Sequence, residues 1–559
     1  MTSSRRSFPA ALLTGALLFG TAIPTVANPV LSHKYTADPQ PIVWNNRLYV
    51  YASNDDQSVN EADGYLIQAY TLVSTDDMAN WVDHGEVFRV PRDWRNNTST
   101  TGARAYAPGA VVRNNTVYLY PCGAGGPVGV VTAPRPEGPF TDVRNGRELA
   151  GRGSWCRNCN VPWLFDPAAF VDTDGQGYLY YGGGGANAFR VMRLNNDMVS
   201  LRDSQAITIN APRVFEASYM HKRGSTYYFS YVNDFSGGDG TPSAAIVYMT
   251  GTSPVGPFTF RGPVLRNPAI NGQNINRNNN NHHAPVEFQG KWYMFYHDRR
   301  VANANNAPSV NQRNISVDSL VYNADGTMRE VVVTNDGVRQ IKNFDPYKRI
   351  PASTINRQSG ITTDSLRNEG VIVRSISNND WIRLKGVDFK AGATGVTVRA
   401  ASASGGGSIE FRTGSTTGTL LGTCNIPSTG NWDTWRNVDC SLSKTASAGV
   451  KDFVFLVFKG TGEPLRLASY EFKTDASTSI SRQAPSFAAP TVRLQGKTLE
   501  VSSAEANVGL ELRDVSSRTV ARYRVSGDGK VSLAGLPAGL YFVQVRGASE
   551  RQVTPILLR

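Results

Sequence analysis

Cysteine is scarce in this chain, with five in 559 residues. Cys156 and Cys159 form a C-x-x-C, Cys424 and Cys440 flank one later segment, and Cys122 is left over. A structural zinc site needs four ligands, and the C-x-x-C has no second partner pair, which argues against zinc. Long apolar runs are equally rare. The stretch from Ala10 to Ile23 is too short for a typical membrane span, and nothing later resembles one, so the chain is not expected to span a membrane. Long amphipathic helical patterns are missing too, which leaves an all-β protein as the expectation. Acidic residues are outnumbered, 45 against 57 Lys and Arg, for a net charge of +12. The excess is spread along the chain rather than clustered. It gives no nucleic-acid footprint and suits solubility or attraction to anionic cell-wall material.

The one apolar run has the layout of a secretory signal. Arg5 and Arg6 precede it, and Thr25-Val26-Ala27 ends it with a small residue at the expected cut. Residues 1–27 are therefore read as a signal peptide, and the product as secreted or attached to the cell surface. In an oxidising compartment, Cys156/Cys159 and Cys424/Cys440 become two expected disulfides.

Turn and strand chemistry is abundant: 53 Gly, 23 Tyr and 23 Phe. Five segments share one layout, starting at Asp38, Ala107, Asp166, Glu216 and His283. Each opens on a special residue, often with Pro nearby, and continues as a short apolar strand, a turn and an aromatic-rich strand. The turns are Asn45-Asn46, Asn114-Asn115, Asp174-Gly175, Arg223-Gly224 and Gln289-Gly290, all with hairpin chemistry. A repeat of roughly 50–70 residues built this way predicts a five-bladed β-propeller over residues 28–342. The first residue of each inner strand then points at one end of the central channel, so Asp38, Asp166, Glu216 and His283 are expected to converge. A β-sandwich, jelly-roll-like, is expected over residues 347–473. A Ser/Thr/Ala/Pro-rich linker follows at 474–490, then a small β-module, itself sandwich-like, at 491–559.

Two carboxylic acids across a pocket can cleave a glycosidic bond, one protonating the leaving oxygen and the other activating water. With a gap of about 6.5–9.5 Å for that water, the product inverts. The acid needs a pKa raised by burial or by a neighbouring negative charge, which is a task for a third carboxylate. Asp-Pro alone carries no such meaning, since Asp345-Pro346 lies outside the repeat.

Residues 33–342 resemble glycoside hydrolase family 43. The resemblance rests on Ala37-Asp38-Pro39, the run from Phe165-Asp166-Pro167 to Asp174-Gly175, the run from Phe215-Glu216-Ala217 to Lys222-Arg223, and Asn281-His282-His283. It implies Asp38 as general base, Glu216 as general acid, and Asp166 as the residue that tunes and orients the acid. It also implies that Arg313 reaches sugar hydroxyls, and that His283 holds a calcium ion or water in the channel. A packed core histidine is the other reading of His283. No cofactor is required for the chemistry. Trp44, Tyr106, Trp163 and Phe215 are candidates for stacking on a sugar face.

Residues 347–473 resemble carbohydrate-binding module family 6, through Asn379-Asp380-Trp381-Ile382, Gly407-Ser408-Ile409-Glu410-Phe411 and Asn431-Trp432-Asp433-Thr434-Trp435. Trp432 matches the family's sugar-stacking Trp. Ser375 stands where its Tyr would be, Arg466 where its Asn would be, and the acidic pair is missing around Pro351-Ala352-Ser353. The last module, with Gly535-Leu536-Pro537-Ala538-Gly539-Leu540-Tyr541, resembles a sorting domain of the type IX secretion machinery.

The expected activity is release of pentoses from plant cell-wall polysaccharide (arabinoxylan, xylan or arabinan), first as an α-L-arabinofuranosidase on arabinoxylan. β-Xylosidase or arabinanase action on the same acids is the alternative, and a non-catalytic glycan-binding propeller is the alternative of a different class. Specificity is expected in loops such as Asn54–Tyr70 and Arg92–Arg104.

Overall fold

The structure, a computed structural model, describes residues 27–55, 67–90, 104–123, 127–151, 156–238, 240–307, 311–474, 491–502, 508–514, 518–525, 529–546 and 551–558. The signal peptide and linker expected from sequence lie outside them apart from Ala27 and Thr474, as do residues 56–66 and 92–103 of the two specificity loops. The chain divides into two compact units, residues 1–474 and 475–559.

The first unit opens with a five-bladed propeller. Blade I holds β1 (Ala37–Trp44), β2 (Arg47–Asp55), β3 (Ile67–Thr75) and β4 (Trp81–Arg89). Blade II holds β5 (Tyr106–Arg113), β6 (Thr116–Cys122), β7 (Val131–Ala133) and β8 (Thr141–Asp142). Blade III holds β9 (Ala168–Val171), β10 (Gly177–Gly182), β11 (Phe189–Arg193) and β12 (Ile207–Ile209). Blade IV holds β13 (Val214–Arg223), β14 (Thr226–Asn233), β15 (Ile246–Gly251) and β16 (Phe258–Leu265). A short hairpin, β17 (Ala269–Ile270) and β18 (Gln273–Asn274), leads to blade V, with β19 (His283–Phe288), β20 (Lys291–Asp298) and β21 (Asn314–Ser319). Every inner strand touches the next, and β19 touches β1, so the ring is closed.

The hairpins form because their turn residues accept left-handed backbone. Asn45 and Asn46 sit at φ +46° and +61°, and Asn114 and Asn115 at +48° and +58°, the pairing that a two-residue hairpin turn requires. Strand alternation then divides side chains between two seams. Along β2, Leu48, Val50 and Ala52 pack toward blade V with Phe295 and Ile315, while Tyr49 and Tyr51 pack toward blade II with Ala110 and Leu119. Each fully buried side chain of this kind contributes about 1.5–3 kcal/mol, so the inter-blade seams hold the ring.

Closure uses the start of the described chain. The Val30 and Thr36 amides donate to the carbonyls of Ile315 and Arg313, both at 2.8 Å. The Asn28 side chain exchanges hydrogen bonds with the Val317 backbone.

The second half of this unit is a β-sandwich. One sheet has strands Thr362–Leu366, Gly370–Arg374, Arg466–Lys473, Gly395–Ala401 and Arg436–Ser441 in that order, with Ile350–Pro351 paired at Arg466–Lys473. The facing sheet has Arg357–Ser359, Trp381–Asp388, Val450–Lys459, Gly407–Thr413 and Thr419–Ile426. Cys424 and Cys440 are bonded and tie the two sheets, Cys156 and Cys159 are bonded in the propeller, and Cys122 remains a buried thiol. Thr354–Ile355 adds a fifth strand to blade I by pairing with β4. The Asn80 side chain bridges the Lys385 backbone, donating at 2.9 Å and accepting at 2.8 Å. Propeller and sandwich are thus joined by backbone-level contacts.

In the second unit, strands Thr491–Gln495, Thr498–Ser502 and Gly529–Ser532 form one sheet, and Thr519–Val525, Val508–Arg513, Gly539–Arg546 and Arg551–Leu558 another. Leu499, Val501, Leu510, Leu512, Val543, Ile556 and Leu558 form its core. Among the described residues, no helix is long and apolar enough to cross a membrane.

Asp83 joins three parts of the first unit. Its carboxylate accepts from His33 Nε2 at 2.9 Å, Lys34 Nζ at 2.8 Å, the Gly85 amide at 2.8 Å and Thr363 Oγ1 at 2.9 Å. Burial alone would raise its pKa, but Lys34 and His33 hold it well below the ordinary carboxylate range. Its contribution to stability is therefore full at neutral pH, begins to fall in the ordinary carboxylate range and is lost as pH drops on toward the depressed folded-state value. Asp83→Asn is expected to cost about 3 kcal/mol. Thermal unfolding should show a lowered midpoint at pH 7 and a smaller deficit as the pH is taken into the acid range.

Candidate active site

The inner strands open with irregular backbone. The β1–β2 register shifts between Ala37 and Gln40, and the β13–β14 register shifts between Glu216 and Tyr219. Asp38 and Asp166 sit at φ +52° and +51°, a region that costs a non-glycine residue roughly 1–2 kcal/mol. Such bulges re-aim side chains, and here they turn carboxylates toward one end of the channel.

The result is a cavity of about 260 Å³ lined by Asp38, Ile67, Tyr106, Ala107, Trp163, Phe165, Asp166, Glu216, Asn280, His282 and Arg313. All three acids singled out from sequence line it. Tyr106, Trp163 and Arg313 join them. His283 does not. It lies one residue deeper, fully buried, with Nε2 2.6 Å from Ser230 Oγ and Nδ1 without a protein partner. His282 takes its place in the wall. Phe215 is also outside the wall, and packs edge-on against Trp163 at 5.0 Å and Phe235 at 4.8 Å. Trp44 lies at the far end of β1, packed in the seam between blades I and II. Six residues of strand put it about 20 Å from Asp38, so it cannot stack on a sugar there.

The three carboxyls sit in different fields. Burial is the largest single influence on Asp38 and pushes it up, but the Arg313 guanidinium, foremost among several lowering influences, brings it well below the ordinary range. Arg313 Nη1 donates to Asp38 Oδ1 at 2.9 Å, and Ser53 Oγ donates to Oδ2 at 2.7 Å. The same guanidinium donates through Nε and Nη2 to the buried Asp55, at 3.0 Å each. Sequence resemblance gave Arg313 to sugar hydroxyls. The structure instead engages it with two carboxylates while its edge lines the cavity.

Glu216 is pushed up to about 7, first by burial and then by the charge of Asp38, against a hydrogen bond from Asn280 Nδ2 at 3.1 Å that lowers it. Burial, then Glu216 and Asp38, push Asp166 up well above its ordinary value. Asp166 Oδ2 accepts the Ala217 amide at 3.0 Å, next to Glu216 in the chain. One carboxyl is thus held ionised, and a neighbouring pair retains a proton near neutral pH. Environments that separate pKa values in this way assign acid and base roles.

Asn280, His297 and Asp55 were not singled out from sequence, and His282 was named only within the Asn281-His282-His283 motif. Asn280 and His282 lie in the loop just before β19, a position that the repeat, aligned on strand starts, passes over. His282 Nδ1 accepts the His283 amide at 2.9 Å, and burial keeps the ring neutral, its pKa lowered to about 4. The proton is then on Nε2, which is buried and has no protein partner, leaving a donor for a ligand hydroxyl.

Among the described residues, no group of three or more His, Cys, Asp or Glu could hold a metal. His283 Nδ1 is a single donor without a carboxylate beside it. That set fits a mostly hydrated hard cation and does not fit a calcium cage made by protein oxygens. In the sandwich, the Arg466 guanidinium lies 4.2 Å from the centre of the Trp432 ring and donates through Nε to Glu463 at 3.1 Å. The Ser375 amide donates to the same Glu463 at 2.8 Å. One face of the Trp432 ring is covered by this arginine, and the residue stays half-buried.

Residues 26–328 match the model of glycosyl hydrolases family 43, and residues 351–474 that of carbohydrate binding module (family 6). The chain belongs to glycosyl hydrolase family 43. It is 37% identical over 489 residues to an arabinoxylan arabinofuranohydrolase of Bacillus subtilis (strain 168), covering 80% of this chain and 94% of the relative. It is 36% identical over 488 residues to an arabinoxylan arabinofuranohydrolase of Paenibacillus polymyxa, covering 80% and 75% respectively. The crystal structure of a family 43 arabinoxylan arabinofuranohydrolase from Bacillus subtilis, in complex with cellotetraose, aligns with a TM-score of 0.73 at 38% identity, over 80% of this chain and 98% of that one.

Arg313 is the cation that depresses Asp38. Arg313→Lys exchanges a two-carboxylate fork for a point charge and is expected to raise the Asp38 pKa. The acidic limb of the kcat/KM–pH profile should move to higher pH while the basic limb stays near its original position.

Proposed function

We propose that this chain is an inverting α-L-arabinofuranosidase that removes arabinose branches from arabinoxylan. The observation that carries this reading is the contrast within one small cavity: Asp38 held ionised by Arg313, with Glu216 and Asp166 both pushed toward protonation. Asp38 takes a proton from water, and Glu216 gives its proton to the departing oxygen. Burial and the charge of Asp38 keep the Glu216 proton in place, and Asp166 fixes the Glu216 backbone through the Ala217 amide. Trp163, Phe165 and Tyr106 give the cavity an aromatic side, suited to the face of one sugar ring. A cavity at the small end of the ligand range favours a terminal sugar over the middle of a polymer. The relatives named for arabinoxylan, matched across propeller and sandwich, support that choice of substrate.

His283 fits as the single protein ligand of a hydrated calcium ion with a structural role. The sandwich fits a scaffold, since Arg466 occupies one face of Trp432. Residues 1–27 and 491–559 fit an exported protein, the last module serving as a type IX sorting domain.

The test is a panel of arabinoxylan, unbranched xylan and arabinan with the released sugar identified. Arabinose from arabinoxylan and no xylose from unbranched xylan is expected. Xylose release would move the assignment to β-xylosidase, and no release from any of the three would favour a glycan-binding propeller. Glu216→Gln should lower kcat by about 10²–10⁴ on substrates with poor leaving groups, and far less on an activated aryl glycoside. An equal loss on both would remove Glu216 from the acid role.

A further inference from the structure

Asp38 and Glu216 belong to different blades, yet their supports meet on one imidazole. His297 lies in β20 of blade V and is fully buried. Its Nδ1 is 3.3 Å from the Asp38 amide nitrogen and 3.3 Å from Asp38 Oδ1. Its Nε2 is 3.0 Å from the Asn280 carbonyl oxygen. Asn280 Nδ2 in turn donates to Glu216 Oε1 at 3.1 Å.

The partners fix the tautomer. A backbone amide can only donate, so Nδ1 is the acceptor. A backbone carbonyl can only accept, so Nε2 carries the hydrogen. The chain of hydrogen bonds runs one way, from the Asp38 amide through the ring and Asn280 to the Glu216 carboxyl. Both ends need such support. Asp38 sits at φ +52°, a conformation that persists only where its surroundings over-determine it. Asn280 belongs to a loop, and its side chain reaches Glu216 only while its backbone stays in place.

We propose that His297 is a positioning residue that sets the base and the acid relative to each other, and so fixes the space left for water between them. The proposal rests on the roles given above to Asp38 and Glu216. A ring that merely filled the core would support the fold without distinguishing substrates by leaving group. A ring acting through Asn280 on the acid has to distinguish them, because acid catalysis matters most when the leaving group is poor.

The experiment compares kcat on an activated aryl α-L-arabinofuranoside and on an alkyl one. The variants are His297→Leu, His297→Gln, Asn280→Ala and the double variant His297→Leu/Asn280→Ala, with Glu216→Gln as control. Loss of the hydrogen bonds to the Asp38 amide and the Asn280 carbonyl predicts about a tenfold fall for His297→Leu on the aryl substrate, and about a further tenfold on the alkyl one. KM should change little. The further loss should vanish when His297→Leu is made in the Asn280→Ala background, because the route to the acid is already cut. His297→Gln keeps an acceptor and a donor in one planar group, and should recover much of both losses. Equal losses on the two substrates overturn the proposal, as does an extra alkyl loss that persists without the Asn280 side chain. Should His297→Leu fail to fold, His297→Gln and its double variant with Asn280→Ala carry the same comparison with smaller effects. A control Glu216→Gln that shows no leaving-group dependence would mark failure of the acid assignment itself, separately from the role of His297.

Discussion

Four buried carboxyls, Asp38, Asp55, Asp166 and Glu216, surround one buried guanidinium, Arg313. One positive charge cannot keep four buried acids ionised. The distribution of protons in the cavity follows from which acids Arg313 touches. It touches Asp38 and Asp55, which the register of the β1–β2 hairpin brings to the same open end, and leaves Asp166 and Glu216 to each other. The same residue closes the ring, since its carbonyl accepts the Thr36 amide where the chain start meets blade V. Propeller closure and the ionisation of Asp38 are one constraint seen at two scales. A shift in that seam moves Asp38 and its counter-charge together.

Much of this arrangement can be read from sequence, because a propeller writes its geometry as a repeat. The five strand starts, the hairpin turns and the two cysteine pairs are local signals. The inner strands begin within two residues of the expected starts, and both disulfides form. The turn expected at Arg223-Gly224 lies one residue on, at Gly224-Ser225, because Arg223 still pairs with Thr226. Asp38, Asp166 and Glu216 meet because equivalent positions on equivalent strands meet. Reading failed where a residue's role depends on something other than strand phase. Trp44 looked close to Asp38 in sequence, but an extended strand carries it to the other end of the channel. His283 has the correct repeat position, yet His282 faces the cavity, because the chain enters blade V through a loop of consecutive asparagines held by their own side-chain hydrogen bonds. Phe215 follows strand alternation away from the wall and supports Trp163 from behind. Asp55 and His297 carry no local signal at all. Each is an ordinary strand-end residue until a distant partner is known.

The sandwich illustrates the same limit. Trp432 is conspicuous in sequence, and its neighbourhood matches a sugar-binding module, but one face of its ring carries Arg466, which Glu463 ties to the Ser375 amide. The contacts of this domain with blade I are extensive and specific: a shared strand, the reciprocal bonds of Asn80 with Lys385, and Thr363 on Asp83. Its physical effect in this structure is to buttress the blade that carries Asp38.

The central claim is that Asp38 activates water across the cavity from Glu216, which fixes the stereochemistry of the first product. NMR of the sugar released from an α-L-arabinofuranoside, recorded before mutarotation, reads it directly. The β-anomer appearing first is the expected result. The α-anomer appearing first would mean net retention, and would contradict Asp38 as a water-activating base.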